Sequence, residues 1–173
     1  DVDDLSRTMH EAFYVAAAGR PGPVVIDLPK DVQFAEGEYL SPENVTHRHY
    51  NPTREGADLA IEEAVELIAN AKKPIFYIGG GCINSGPRAC ELVTELVKLT
   101  GYPATTTIMG LGAFPASSPQ WLGMLGMHGT YESNLAMYDC DVMVAIGARF
   151  DDRVTGVPMR SRRVPGRFTS ISI

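Results

Sequence analysis

Residues 149–153 read Arg-Phe-Asp-Asp-Arg, so four of five adjacent positions carry charge, of both signs. They come just after an unbroken apolar run, Val142-Met143-Val144-Ala145-Ile146. A guanidinium at the end of a buried strand can serve phosphate or carboxylate, whose oxygens it meets through paired N–H donors. Asp151 and Asp152 can orient Arg149 and Arg153, or accept hydrogen bonds from ligand hydroxyls. The same residues as a solvated surface network would contribute little to stability. The ligand reading is preferred because the strand leads directly into the cluster.

Three further stretches carry residue types of the same use. The triplet Gly79-Gly80-Gly81 follows an apolar run and offers backbone that a ligand can approach closely, with N–H groups for an anion. It is not the dinucleotide fingerprint, because Asn84 or Ser85 stands where the third glycine would be. The stretches "TTTIMGLG" (105–112) and "MLGMHGT" (124–130) place glycines around Thr107, Ile108, Met127 and His128. Alone, each set reads as tight turns and core. Together, glycine turns, guanidinium groups and carboxylates at strand ends suit a large ligand with phosphates and a flat ring, the ring covered by apolar side chains.

The elements that must position these residues follow from periodicity. Residues 3–18 predict a helix with Leu5, Met9, Ala12, Phe13 and Ala16 on one face. Residues 24–28, "VVIDL", predict a buried strand between "GRPGP" and Pro29. Periodicity is then lost to about residue 56, too long a stretch for a turn inside one compact domain. Beyond it the chain alternates. A helix is predicted over 57–70, a strand over 74–79, and a helix from a cap at Ser85 to Thr100 with Gly101 past its end. A strand over 102–108, a Gly/Pro/Ser-rich loop, a helix over 131–138 and the strand Val142–Ile146 follow. The fold class expected is α/β: a Rossmann-like parallel sheet with helices on both faces, preceded by the tail of another α/β domain. Ligands of such sheets collect at the carboxyl ends of the strands.

Composition narrows the classes. With 45% hydrophobic and 21% charged residues, the 173-residue chain reads as soluble and globular. A net charge of −6 gives no electrostatic footprint for nucleic acid or an anionic membrane. No apolar run approaches the roughly 20 residues of a membrane span. Cys82, Cys90 and Cys140 form no Cys-x-x-Cys pair and read as reduced, mostly buried thiols. His47 and His49 form a His-x-His in the linker-like stretch, and no metal is assigned to them. The first residue is Asp1, and the chain is expected to be a segment of a longer protein.

The stretches "GRPGPVVIDLPKDVQ", "PIFYIGGG", "TTTIMGLGAFP" and "LGMLGMHGTYESNLAMYDCDVMVAIGARFDDRVTG" resemble the catalytic large subunits of the acetohydroxyacid synthase (acetolactate synthase) family, which depend on thiamine diphosphate. The likeness runs from residue 1 to Gly156. "LGMHG" and "GARFDDRVTG", in order and at the family's spacing, are its most specific part. It implies that residues 1–35 end a pyrimidine-binding domain for thiamine diphosphate, 36–56 link, and 57–156 form most of a central FAD-binding domain. Residues 157–173, with Arg160, Arg162, Arg163 and Arg167 and no acidic residue, depart from the pattern and read as a frameshifted, artificial or unrelated tail.

By matching motifs, the resemblance implies that FAD meets Arg20, Gly79, Gly80, Gly81, Thr107 and Ile108, then Leu125, Gly126, Met127, His128 and Gly129, then Gly147, Ala148, Arg149 and Asp151. Lys30, Met127, Asp152 and Arg153 would border the substrate channel, with Arg153 holding the carboxylate of a second 2-oxo acid. No catalytic residue and no metal ligand is expected within the segment. The family's glutamate for the thiamine diphosphate aminopyrimidine, and its Mg2+ and diphosphate motif, are absent from these residues. The implied reaction condenses a hydroxyethyl unit from pyruvate with a second 2-oxo acid, in branched-chain amino-acid synthesis. The implied partners are a homodimer or tetramer and a small regulatory subunit, and the implied location is the cytoplasm, or a plastid or mitochondrion in a eukaryote. Another thiamine-diphosphate carboligase or decarboxylase, or a non-catalytic FAD- or nucleotide-binding module, are the alternatives.

Overall fold

The computed structural model describes residues 1–39, 41, 45–53, 55–155 and 167–171, and the chain divides into two compact units, Asp1–Gly56 and Ala57–Ile173. In the first unit, helix α1 spans Leu5–Ala17, in agreement with its periodicity, and a short α2 spans Lys30–Phe34 within the stretch expected to be irregular. Residues 24–28 do not form the expected strand. A strand is defined by its ladder, and the described residues of this unit supply no second strand to pair with. Val25 is consequently 92% exposed, and Val24 and Leu28 are also open to solvent.

The second unit is the α/β domain expected. It contains α3 (Asp58–Asn70), β1 (Pro74–Ile78), α4 (Gly80–Asn84), α5 (Pro87–Thr100), β2 (Ala104–Thr106) and a 3-10 turn (Ile108–Gly110). After these come β3 (Trp121–Met124), α6 (Tyr131–Asp139), β4 (Val142–Ile146), α7 (Asp152–Thr155) and β5 (Arg167–Ile171). The sheet is wholly parallel, in the order β3-β2-β1-β4-β5. The chain leaves β1 toward β2 and β3, then returns to the other side of β1 with β4. The switch point of the topology therefore lies between β1 and β4, the place where ligands of open parallel sheets collect.

Both faces of the sheet are covered, which explains the uniformly apolar strands. On one face Phe76, Ile78, Val142, Val144 and Ile146 pack with Val93 and Val97 of α5 and with Ile68 of α3. On the other, Ile75, Tyr77, Met143 and Ala145 pack with Leu125, with Ala136 and Met137 of α6, and with Val154 of α7. Alternation along β1 and β4 divides the residues between the two layers. At the amino ends of β1 and β4, Asp141 fixes the register. Its carboxylate accepts the N–H groups of Lys72 and Lys73 at 2.7 and 2.9 Å, and its own N–H donates to the Lys73 carbonyl at 3.2 Å.

Several elements differ from expectation for local reasons. α5 begins at Pro87, not after a Ser85 cap, because Gly86 adopts φ +95° and proline suits the first helical position. Its end at Gly101, φ +73°, is the left-handed cap expected. β2 is shorter than the expected strand because the chain turns into the 3-10 turn after Thr107. β3 falls within the expected Gly/Pro/Ser-rich loop, α7 forms in the charged cluster, to which no element was assigned, and β5 lies within the stretch 157–173, whose remaining residues are outside those described.

Candidate functional site

At the switch point the backbones of two strand ends cross in contact. A Cβ built on Gly79 would overlap the Gly147 carbonyl oxygen, and one on Gly81 would lie 2.6 Å from Gly147 Cα. Gly147 itself adopts φ +59°. The Gly79 N–H donates to the Ile146 carbonyl at 2.8 Å, and the Gly81 N–H to the Gly147 carbonyl at 2.9 Å. The expectation that this turn presents free N–H groups to an anion is therefore corrected for Gly79 and Gly81. Their glycine character is required by the crossing of β1 and β4. On the other side, a Cβ on Gly80 would lie 2.9 Å from Met109 Cβ, so the turn after β2 flanks the crossing as well.

That flanking turn is capped by Thr107, whose hydroxyl oxygen accepts the Gly110 N–H at 2.9 Å. The cap projects Ile108 and Met109 outward, and they are 68% and 74% exposed. The loop after β3 is built around Gly126, at φ +98°. Leu125 turns into the core, Met127 stands 68% exposed, and His128 is exposed beside it. Gly129 closes the turn with its N–H on the Gly126 carbonyl at 3.0 Å. Thr130 then caps α6 by accepting the Ser133 N–H at 3.2 Å.

The charged cluster follows β4. Ala148 is half-buried, and Arg149, Asp151, Asp152 and Arg153 are exposed. Asp151 Oδ1 accepts the N–H groups of Arg153 and Val154, each at 3.1 Å, and so caps α7. Two residues that hold the strand-end loops were not anticipated from the sequence. Tyr77, fully buried on β1, donates its hydroxyl to the Arg149 carbonyl at 3.2 Å, and its ring centroid lies 5.4 Å from that of Phe150. Burial, with a smaller effect of the Asp151 charge, raises the Tyr77 phenol to about 12. Asn134, on α6, takes both backbone groups of Gly126, at 2.9 and 3.0 Å. A phenol at the carboxyl end of a buried strand and an amide inside a helix are the signals that could have found them, since each requires a partner.

Gly79–Gly81, Thr107, Ile108, Leu125–Gly129 and 147–153 thus all lie at the carboxyl edge of one sheet. Arg20 and Lys30 belong to the first unit, both exposed, with Lys30 Nζ 5.9 Å from the centroid of the Phe34 ring. A broad open groove of about 740 Å3 runs elsewhere, along α5, and its lining includes none of the strand-end set. Burial pushes the Cys82 and Cys140 thiols up, away from the reactive thiolate. Among the described residues no cluster of His, Cys, Asp and Glu gathers to hold a metal ion, and no helix is long and apolar enough to cross a membrane.

A wholly parallel sheet covered by helices on both faces defines an α/β domain. Residues 61–173 match the family model described as "Thiamine pyrophosphate enzyme, central domain", and the chain belongs to that family. It is 48% identical over 155 residues to the acetolactate synthase isozyme 3 large subunit of Escherichia coli K12, covering 88% of this chain and 27% of that protein. It is also 48% identical, over the same shares, to the acetolactate synthase large subunit of Buchnera aphidicola subsp. Schizaphis graminum. To acetolactate synthase 2, chloroplastic, of Zea mays it is 44% identical over 158 residues, 90% of this chain and 24% of the relative. The chain thus spans about a quarter of the length of these relatives.

Proposed function

We propose that this chain is the central-domain portion of an acetolactate synthase catalytic large subunit, and that its strand-end crevice binds FAD. The observation that carries the reading is the likeness to acetolactate synthase large subunits across 88% of the chain. The residues present fit a flavin nucleotide. Arg149 offers a charge-assisted contact to phosphate, while Ile108, Met109 and Met127 offer exposed apolar cover for a flat ring. Gly79, Gly80, Gly81, Gly147 and Ala148 would form the floor, with His128, Gly129, Thr107 and Asp151 at its margins. Residues 1–35 would be the end of the preceding domain, joined through 36–56. β5 and the family match to residue 173 support counting residues 167–171 with the central domain.

On this reading the substrates are pyruvate and a second 2-oxo acid. Thiamine diphosphate with Mg2+, bound by parts of the protein outside this chain, supplies the chemistry that breaks the carboxyl–carbonyl bond of pyruvate. The residues here bind and orient. Arg153 pairs two N–H donors with the carboxylate of the second acid. Met127 and Asp152 border its path. The whole protein is a homo-oligomer served by a small regulatory subunit, working in the cytoplasm or, in a eukaryote, in a plastid or mitochondrion. The test is the visible spectrum of the full-length protein purified without added flavin. A bound flavin that is released on denaturation and identified as FAD supports the reading, and a folded protein that neither carries nor takes up FAD overturns it.

A further inference from the structure

Asn134 belongs to α6, yet its side chain is directed to the loop before that helix. Its Oδ1 accepts the Gly126 N–H at 2.9 Å, and its Nδ2 donates to the carbonyls of Gly126 at 3.0 Å and Thr130 at 3.1 Å. Only an amide satisfies this set, because it offers one acceptor and two donors on a single planar group. Both polar groups of Gly126 are held at once, which fixes the rotation of the peptide units on either side of it.

What Gly126 and its neighbour touch is α7. A Cβ on Gly126 would lie 2.7 Å from the Arg153 carbonyl oxygen and 3.3 Å from Val154 Cα. The next amide, Met127 N–H, donates to that same carbonyl at 2.9 Å. α7 is only four residues long, too short to be stable by itself. Its cap from Asp151 is local to the segment. Among the described residues, Val154 in the core and this clasp attach it to the rest of the domain.

We propose that Asn134 is a positioning residue for Arg153. Acting through Gly126 and Met127, it sets where α7 stands against the loop after β3. The consequence for catalysis rests on the reading of Arg153 as the carboxylate ligand: with the clasp loosened, the guanidinium meets the second 2-oxo acid less often in the productive place.

The test uses hydrogen–deuterium exchange of the full-length protein and its Asn134→Ala and Asn134→Asp variants. Asn134→Asp keeps an acceptor for the Gly126 N–H and removes both donors, so it serves if Asn134→Ala does not fold. The expected result is that exchange accelerates in residues 151–155 as well as 125–130, by roughly 5- to 30-fold, with β1 and β4 unchanged. Acceleration confined to 125–130, or none in either segment, overturns the proposal. The KM for the second 2-oxo acid, read separately from kcat, is expected to rise in the same variants. Faster exchange in 151–155 with an unchanged KM removes Arg153 from acceptor binding and leaves its positioning by Asn134 standing. The two readings can therefore fail separately.

Discussion

The hydroxyl of Tyr77 donates to the carbonyl of Arg149 at 3.2 Å, from inside the core of the sheet to the first charged residue beyond it. The phenol is fully buried, and burial raises it to about 12 from its ordinary 10.0. The folded protein therefore prefers the neutral form. The stability linked to Tyr77 is complete below pH 10 and is lost as pH rises through 12. Alkaline titration of the full-length protein followed by phenolate absorbance should show one tyrosine resisting ionisation until the protein unfolds. Tyr77→Phe should remove that late step and weaken the hold on the segment after β4. Identical titration curves for the parent and Tyr77→Phe would contradict this.

Asp141 provides a switch at the acid end. Its carboxylate is held below the ordinary 3.8, first by the Lys72 N–H, whose bond outweighs partial desolvation, and further by the Lys73 N–H. A depressed carboxyl stabilises the fold above its ordinary value, and that contribution is lost as pH falls through the depressed one. Melting temperatures at pH 7 and pH 3 should therefore converge more in Asp141→Asn than in the parent. An identical acid loss in both would contradict a register clamp at the start of β1 and β4.

The crossing at Gly79 is an overpacking test. No side chain fits between β1 and the Gly147 carbonyl, so Gly79→Ala must separate the two strand ends. The expected loss is roughly 1–3 kcal/mol, read by denaturant unfolding of the full-length protein. A variant as stable as the parent would show that the strand ends accommodate a methyl group.

Much of this edge was legible in the sequence, and the exceptions have physical causes. Val142–Ile146 reads as a buried strand because both faces of a central parallel strand are covered, so its apolar run is continuous. β3 is an edge strand of four residues interrupted by Gly123 at φ +95°, and its register to β2 shifts. Its place depends on Thr105, whose hydroxyl donates to the Gly123 carbonyl at 2.8 Å, a contact that leaves no periodic trace. The charges at 149–153 were legible as a cluster, but the use of Asp151 as the cap of α7 was not, because α7 is too short to announce itself. The glycine triplet was legible as a turn. Its partner, Gly147, lies far along the chain, so the crossing that requires glycine could not be read locally.

The two arginines should divide their roles. In the full-length protein Arg149→Ala should weaken FAD binding by about tenfold or more, the value of a charge-assisted hydrogen bond of roughly 1.5–3 kcal/mol. Arg153→Ala should leave FAD binding near the parent value and raise the KM for the second 2-oxo acid. Flavin titration beside steady-state kinetics checks both. Equal loss of FAD in the two variants would contradict a cofactor side and a substrate side within one cluster.

The most direct measurement is acetolactate formation from pyruvate by the full-length protein that contains this chain, supplied with thiamine diphosphate, Mg2+ and FAD. The expected result is acetolactate production that requires thiamine diphosphate and falls in the Arg153→Ala variant. A folded, cofactor-loaded protein that forms no acetolactate, or that releases only acetaldehyde from pyruvate, would contradict the assignment.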